Sequence, residues 1–267
     1  LVYWYTMRAK PLASDGVAGD NFGYGIGVEG DVALVSARYD GDNGDQSGSV
    51  YVFERQLDGQ WSETGKFYGS DTTAGDTFGV GVSLDGDLAA ISAPFDDGQG
   101  SVYIFQRQAD GSWSQVDKIL APEGTVDADF GTDVSLNGNR LLIGAGTDDD
   151  LANNAGSAFI YERSESGDWV QQAKLLASDG DGWHYFGVGV ALSGDRAMVG
   201  APKYDGDTGV VYEFQRQEDG SWNELGKIGA SNGTNGDVYG GSIALEDNRL
   251  FVNSYREQGF LYVYDRD

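Results

Sequence analysis

One short pattern returns five times along this chain at a nearly constant interval, and it restricts the fold more than any other feature. A lysine is followed twelve residues later by Phe-Gly: Lys10 and Phe22-Gly23, Lys66 and Phe78-Gly79, Lys118 and Phe130-Gly131, Lys174 and Phe186-Gly187. The fifth copy, Lys227 and Tyr239-Gly240, has tyrosine for phenylalanine. The lysines lie 56, 52, 56 and 53 residues apart. A period of that size, made of short apolar runs, belongs to radial or solenoidal repeat architectures. The repeat runs through all 267 residues, so 1–267 reads as a single domain.

Within each period the apolar runs have strand length and are bounded by glycine turns. In the first unit Phe22–Val28, Val32–Ala37, Ser49–Phe53 and Trp61–Phe67 read as four strands. Asp58-Gly59 makes the hairpin turn between the last two. The 42 glycines, beside only 4 prolines, supply the turns. Four strands in about 50 residues is the content of one propeller blade. The expected blades are 22–70, 78–122, 130–178 and 186–231, with a fifth made of 239–267 plus 1–12. The last unit lacks its fourth strand, while the N-terminal segment around Tyr5 and Lys10 is a spare one. The sequence therefore predicts an all-β, five-bladed β-propeller of four antiparallel strands per blade, closed by the N-terminal strand joining the last blade. Arg55, Arg107, Arg163 and Arg216 each precede a tryptophan by six residues. They are expected across the hairpin from it, where the guanidinium could stack on the indole.

The full repeat runs from Lys through Ala-Ser-Asp-Gly and Gly-Asp-x-Phe-Gly-x-Gly to Gly-Ala-Pro, best kept in Phe78–Pro94 and Lys174–Pro202. It resembles the FG-GAP repeat of integrin alpha-subunit propellers, in the shorter form common in bacterial secreted proteins. Two departures stand out. Integrin propellers have seven blades, whereas this chain supplies five. The calcium-binding units of that family carry an Asp-x-Asp-x-Asp-Gly loop between the first two strands. Here that connection is a tight turn such as Glu29-Gly30-Asp31 or Asp85-Gly86-Asp87, so the family's calcium site is not carried over.

Charge and composition narrow the function classes. With 43 acids against 17 bases the net charge is -26, which repels phosphate backbones and anionic lipid. No apolar run approaches the roughly 18 residues of a membrane span, so no membrane insertion is expected. With no cysteine and one histidine, disulfides, a Cys-His pair and a three-histidine metal site are excluded. A glycan or protein ligand, an extracellular or cell-surface location and a monomeric domain are the expectations that remain.

Strand alternation places the loops leading into each first strand on one rim with the loops joining strands two and three. Those loops are long and hold 21 of the 43 acids. Such acids make Asx-turns or bind a cation, and Asp40, Asp42 and Asp45 offer clustered hard oxygens as a weak calcium site. The rim could instead recognise sugar or peptide. The fourth lead-in loop, Asp179-Gly180-Asp181-Gly182-Trp183-His184-Tyr185, is where bulky residues break the repeat. Trp183, His184 and Tyr185 are the candidate ligand platform, with Asp179, Asp181 and Asp205 to accept hydroxyl hydrogen bonds. The sequence thus points to a non-catalytic binding module, with a structural or adhesive repeat domain of a larger surface protein as the main rival. A propeller glycoside hydrolase with paired carboxylates is a third reading. Asp133, which replaces the second glycine of Phe-Gly-x-Gly, is its best acid.

Overall fold

The computed structural model describes residues 9–123, 128–255 and 259–266, and among them the chain is all-β apart from two single helical turns. The first blade holds β1 (Phe22–Glu29), β2 (Val32–Ala37), β3 (Ser49–Arg55) and β4 (Trp61–Phe67). The second holds β5 (Val82–Asp85), β6 (Leu88–Ala93), β7 (Ser101–Arg107) and β8 (Trp113–Leu120). The third holds β9 (Phe130–Asn137), β10 (Arg140–Ala145), β11 (Ser157–Arg163) and β12 (Trp169–Leu175). The fourth holds β13 (Val190–Ser193), β14 (Arg196–Ala201), β15 (Val210–Arg216) and β16 (Trp222–Ile228). The fifth holds β17 (Ile243–Glu246), β18 (Arg249–Ser254) and β19 (Phe260–Asp265). All pairs are antiparallel and follow chain order from the axis outward. The blades stand in a ring as a five-bladed β-propeller, around an axial cavity lined by residues of all five. The strand expected to complete the fifth blade falls mainly on residues 1–8, outside the described residues, and residues 9–12 are irregular.

Strand boundaries follow the sequence except at the inner strands. In the second, fourth and fifth blades the inner strand begins only at Val82, Val190 and Ile243, after the Phe-Gly pair. The aromatic residue of the pair bonds to the preceding blade, a contact that Phe130 N also makes with Gln99 O at 3.4 Å in the third blade. Phe78 N donates to Ser47 O at 2.9 Å, Phe186 N to Ala155 O at 2.9 Å and Tyr239 N to Thr208 O at 3.1 Å, each acceptor in the preceding blade. The glycine before the third strand makes this contact possible. A Cβ on Gly48, Gly100, Gly156 or Gly209 would lie 2.0–2.2 Å from the carbonyl oxygen of Phe78, Phe130, Phe186 or Tyr239. All four glycines also have positive φ, so no other residue fits this latch.

Side-chain packing completes each blade-to-blade interface. Phe78 is fully buried and meets Tyr103 and Phe105 edge-on, with ring centroids 5.3 and 5.9 Å away. It shares a core with Leu34, Val50 and Val52 of the first blade and Ile91 of its own. Burying such a side chain contributes roughly 1.5–3 kcal/mol. Nearer the axis, Ser83 Oγ accepts the Leu136 N–H and Ser135 Oγ accepts the Leu192 N–H, both at 2.9 Å. These hydroxyls join inner strands that otherwise share no ladder.

The seam between the fifth and first blades differs. Tyr24, Ile26 and Val28 on β1 are exposed, as are Phe260, Leu261 and Val263 on β19. A Cβ on Gly259 would meet no atom nearer than Ser254 O at 3.8 Å.

The arginine–tryptophan expectation is half right. Arg55, Arg107, Arg163 and Arg216 lie directly across the ladder from Trp61, Trp113, Trp169 and Trp222. None of these guanidinium groups stacks on an indole. Arg107 and Arg216 turn instead to Glu54 and Glu162 of the preceding blade, and Arg163 donates to Gly167 O, because a charged acceptor outbids a ring face.

Candidate functional site

The lead-in loops and the loops between second and third strands do share one rim, since their side chains bond to each other in blade after blade. The recurrent lysine is the node. Lys66 Nζ lies 2.9 Å from Asp15, 2.8 Å from Asp40 and 2.7 Å from Asp42. Tyr51 OH donates toward Asp15 at 2.6 Å and Asp40 at 2.9 Å. The second blade repeats this with Lys118, Asp71, Asp96 and Tyr103. In the third, Lys174 pairs with Asp148 and Asp150; in the fourth, Lys227 meets Asp179 and Tyr204.

These contacts set the charge states of the rim. Burial alone would raise the Asp40 carboxyl, but the Lys66 ammonium, the Asp42 N–H and the hydroxyls of Ser49 and Tyr51 hold it below its ordinary value. Against burial again, Lys227, Tyr212 and Tyr204 bring Asp179 down to about 2. Burial pushes the Tyr103 hydroxyl well up, and its acceptors Asp71 and Asp96 add to that. Asp15, Asp40, Asp71 and Asp179 are thus held in the ionised form, and Lys66, Lys118 and Lys227 in the charged form.

Of the weak calcium candidates, Asp40 and Asp42 converge on the Lys66 ammonium, and Asp45 is not part of that group. Among the described residues no three His, Cys, Asp or Glu side chains are placed to hold a metal ion. Other rim acids fold their own loops: Asp20, Asp76 and Asp237 accept the N–H of Val17, Thr73 and Thr234 three residues back.

The Trp183 loop keeps the backbone of the repeat but carries different side chains. Trp183 occupies the position of Gly19, Gly75 and Gly236 in other copies, and like them it has positive φ, +67°. That conformation costs a non-glycine residue roughly 1–2 kcal/mol. Its N–H bonds to Asn153 O at 2.8 Å, as Gly75 N–H bonds to Asp45 O at 2.9 Å, so the loop geometry is the repeat's own. The indole remains 55% exposed and tilts over Tyr185 at 6.3 Å. His184 turns the other way, 5.0 Å from the Tyr204 ring, and its Nδ1 accepts the Asp181 N–H at 3.2 Å. Asp179 is committed to Lys227, Tyr204 and Tyr212, whereas Asp205 is exposed on a one-turn helix with φ of +48°. Trp183 and Tyr185 thus lie side by side, the Asp181 carboxylate accepts the Gly182 N–H at 2.7 Å, and Asp179 belongs to the Lys227 network.

A concavity on the axis was not legible as a site. It measures about 480 Å³ and its wall includes Tyr24, Arg38, Phe95, Asp133, Val188 and Tyr255. Arg38 stands where other blades carry Pro94, Gly146, Pro202 and Tyr255, and this break in the repeat is the signal that could have found it. Its guanidinium carbon lies 3.8 Å from the centroid of Tyr24 and 4.4 Å from that of Tyr39. Asp133 also reaches the cavity wall, but both carboxylate oxygens accept backbone N–H groups, from Val134 and Val190, at 2.9 Å. Burial raises its pKa to about 7, against the pull of those two amides. It bonds the third blade to the fourth.

Comparison with known proteins agrees with this architecture. The FG-GAP repeat pattern matches residues 5–53, 61–105, 113–161 and 169–214. No curated protein matches the sequence. Among solved structures, a protein from Lactobacillus plantarum is 14% identical with a TM-score of 0.54, over 91% of this chain and 70% of that one. The periplasmic gluconolactonase of Pseudomonas aeruginosa is 16% identical with a TM-score of 0.60, over 92% of this chain and 68% of that one. At such identities the likeness is one of fold. Among the described residues no helix is long and apolar enough to cross a membrane.

Proposed function

The chain belongs to the FG-GAP repeat family, and from that premise we propose that it is a non-catalytic module binding carbohydrate or protein through its loop-bearing rim, outside the cytoplasm. One observation carries the reading: a tryptophan stands in a glycine position with its ring in solvent. Turning the chain there needs no ring, as Gly19, Gly75 and Gly236 demonstrate. A side chain that strains its backbone and gains little burial is explained by what it contacts outside the molecule. An indole beside Tyr185 suits the apolar face of a neutral sugar, or a peptide side chain, with Asp181 and Asp205 of the same rim as candidate acceptors for its hydroxyls or N–H groups.

Glycine is the informative substitution. Trp183→Gly restores the repeat, so the protein is expected to unfold at an unchanged or slightly higher temperature. Affinity for a ligand selected on a glycan or peptide array is expected to fall at least tenfold by titration calorimetry. Undiminished affinity in this variant would remove the site from the Trp183 loop.

A further inference from the structure

Arg38 is out of keeping with its surroundings. The rim lysines Lys66, Lys118, Lys174 and Lys227 all sit against carboxylates. Arg38 has no ion pair and no side-chain hydrogen bond among the described residues; its buried Nε lacks an acceptor, as those of Arg107 and Arg140 do, but those two arginines pair with carboxylates. The Arg38 guanidinium lies against two rings, Tyr24 and Tyr39. In a chain of net charge -26, an unpaired arginine on the wall of an axial cavity is the rarer arrangement.

The chemistry that fits is narrow. A guanidinium covered on its faces by rings offers its edge, a planar fork of N–H donors that matches the two oxygens of a carboxylate. Phe95 and Tyr255, both exposed on the same cavity wall, offer flat apolar surface to the body carrying that group. Asp129 and Asp133 line the wall as well, and the rim around it is acidic, so a ligand with many negative charges is repelled. A single carboxylate on a neutral body meets both conditions.

We propose, on the reading of the rim as a carbohydrate-binding face, that the axial cavity takes an otherwise neutral oligosaccharide by one uronic acid residue. Arg38 receives the carboxylate, and Phe95 and Tyr255 lie against the sugar rings. The cavity's 480 Å³ falls within the usual range of ligand sites.

The test compares two probes by titration calorimetry: a neutral oligosaccharide ending in one glucuronic acid, and the same molecule with that carboxyl reduced to glucose. Wild type is expected to bind the acidic sugar at least tenfold more tightly. Arg38→Gln is expected to lose that preference and leave affinity for the reduced sugar unchanged. Arg38→Lys keeps the charge without the fork and is expected to fall between them, which also serves should Arg38→Gln not fold. Equal wild-type affinities, or a preference that survives both substitutions, would overturn the inference and leave the rim reading standing. Binding of neither sugar would overturn it too, while the Trp183→Gly comparison judges the rim separately.

Discussion

The interfaces between consecutive blades and the seam between the last blade and the first are made from the same repeat, yet they are held differently. Between the third and fourth blades, Gly156 accepts the Phe186 backbone on top of it, Ser135 and Asn137 take N–H groups of Leu192 and Gly194, and Asp133 takes that of Val190. At the seam, Gly259 has open space where a latch would be, and Ile26 and Leu261 are 60% and 66% exposed. Among the described residues no side chain of the fifth blade hydrogen-bonds to β1 there. The lysine node follows the same division: Lys10 is exposed and has no ion pair among the described residues. A blade is thus stabilised chiefly by having a successor whose Phe-Gly it can receive.

That contrast can be broken most forcefully at the latch. Gly156→Ala places a Cβ 2.0 Å from Phe186 O at a residue with φ of +84°. The strain and overpacking together are expected to cost roughly 3–5 kcal/mol, read as a fall in the urea midpoint. An Ala variant as stable as wild type would show that the blades do not lean on this contact.

The node comes next. Lys118→Met leaves Asp96, only 3% exposed, facing Asp71 without its cation. A loss of roughly 3 kcal/mol is expected in chemical denaturation, since removing one partner strands a buried charge. Lys10→Met is the matched control at the seam and is expected to change nothing measurable.

A smaller effect separates the groups by pH. Asp133, raised to about 7, favours the protonated form in the fold, so its contribution is full below about 4 and is lost as pH rises toward 7. Asp179, lowered to about 2, has the opposite sign: its contribution is present above about 4 and is lost as pH falls toward 2. Asp133→Asn is expected to flatten the decline in melting temperature between pH 4 and 7, a difference on the order of 1 kcal/mol because the residue borders an open cavity. An unchanged pH profile would mean that Asp133 is ionised throughout that range.

Smallest of all is Gly259→Ala. It keeps the positive-φ penalty of about 1 kcal/mol but meets no atom, so it measures what remains of the Gly156 effect once the latch is taken away.

By itself the sequence determined the repeat, the blade count and the boundaries of the strands outside the innermost one, because these rest on local rules. Alternation sets which residues face inward, and glycine turns set where strands end, so β2 and β4 begin and end where the chain alone places them. Even Trp183 was visible as a departure from the pattern. What the tertiary structure decided are the pairings between segments far apart in the chain. Lys66 meets Asp15 across 51 residues, and Ser135 meets Leu192 across 57, contacts that the period suggests but whose chemistry it does not name. The Gly156 latch is invisible locally, because positive φ explains that glycine until Phe186 is seen above it. Arg38 is the clearest case. Along the chain it is a cation among many acids; only the ring of blades brings Tyr24, Phe95 and Tyr255 around one cavity and leaves that cation without an ion pair among the described residues.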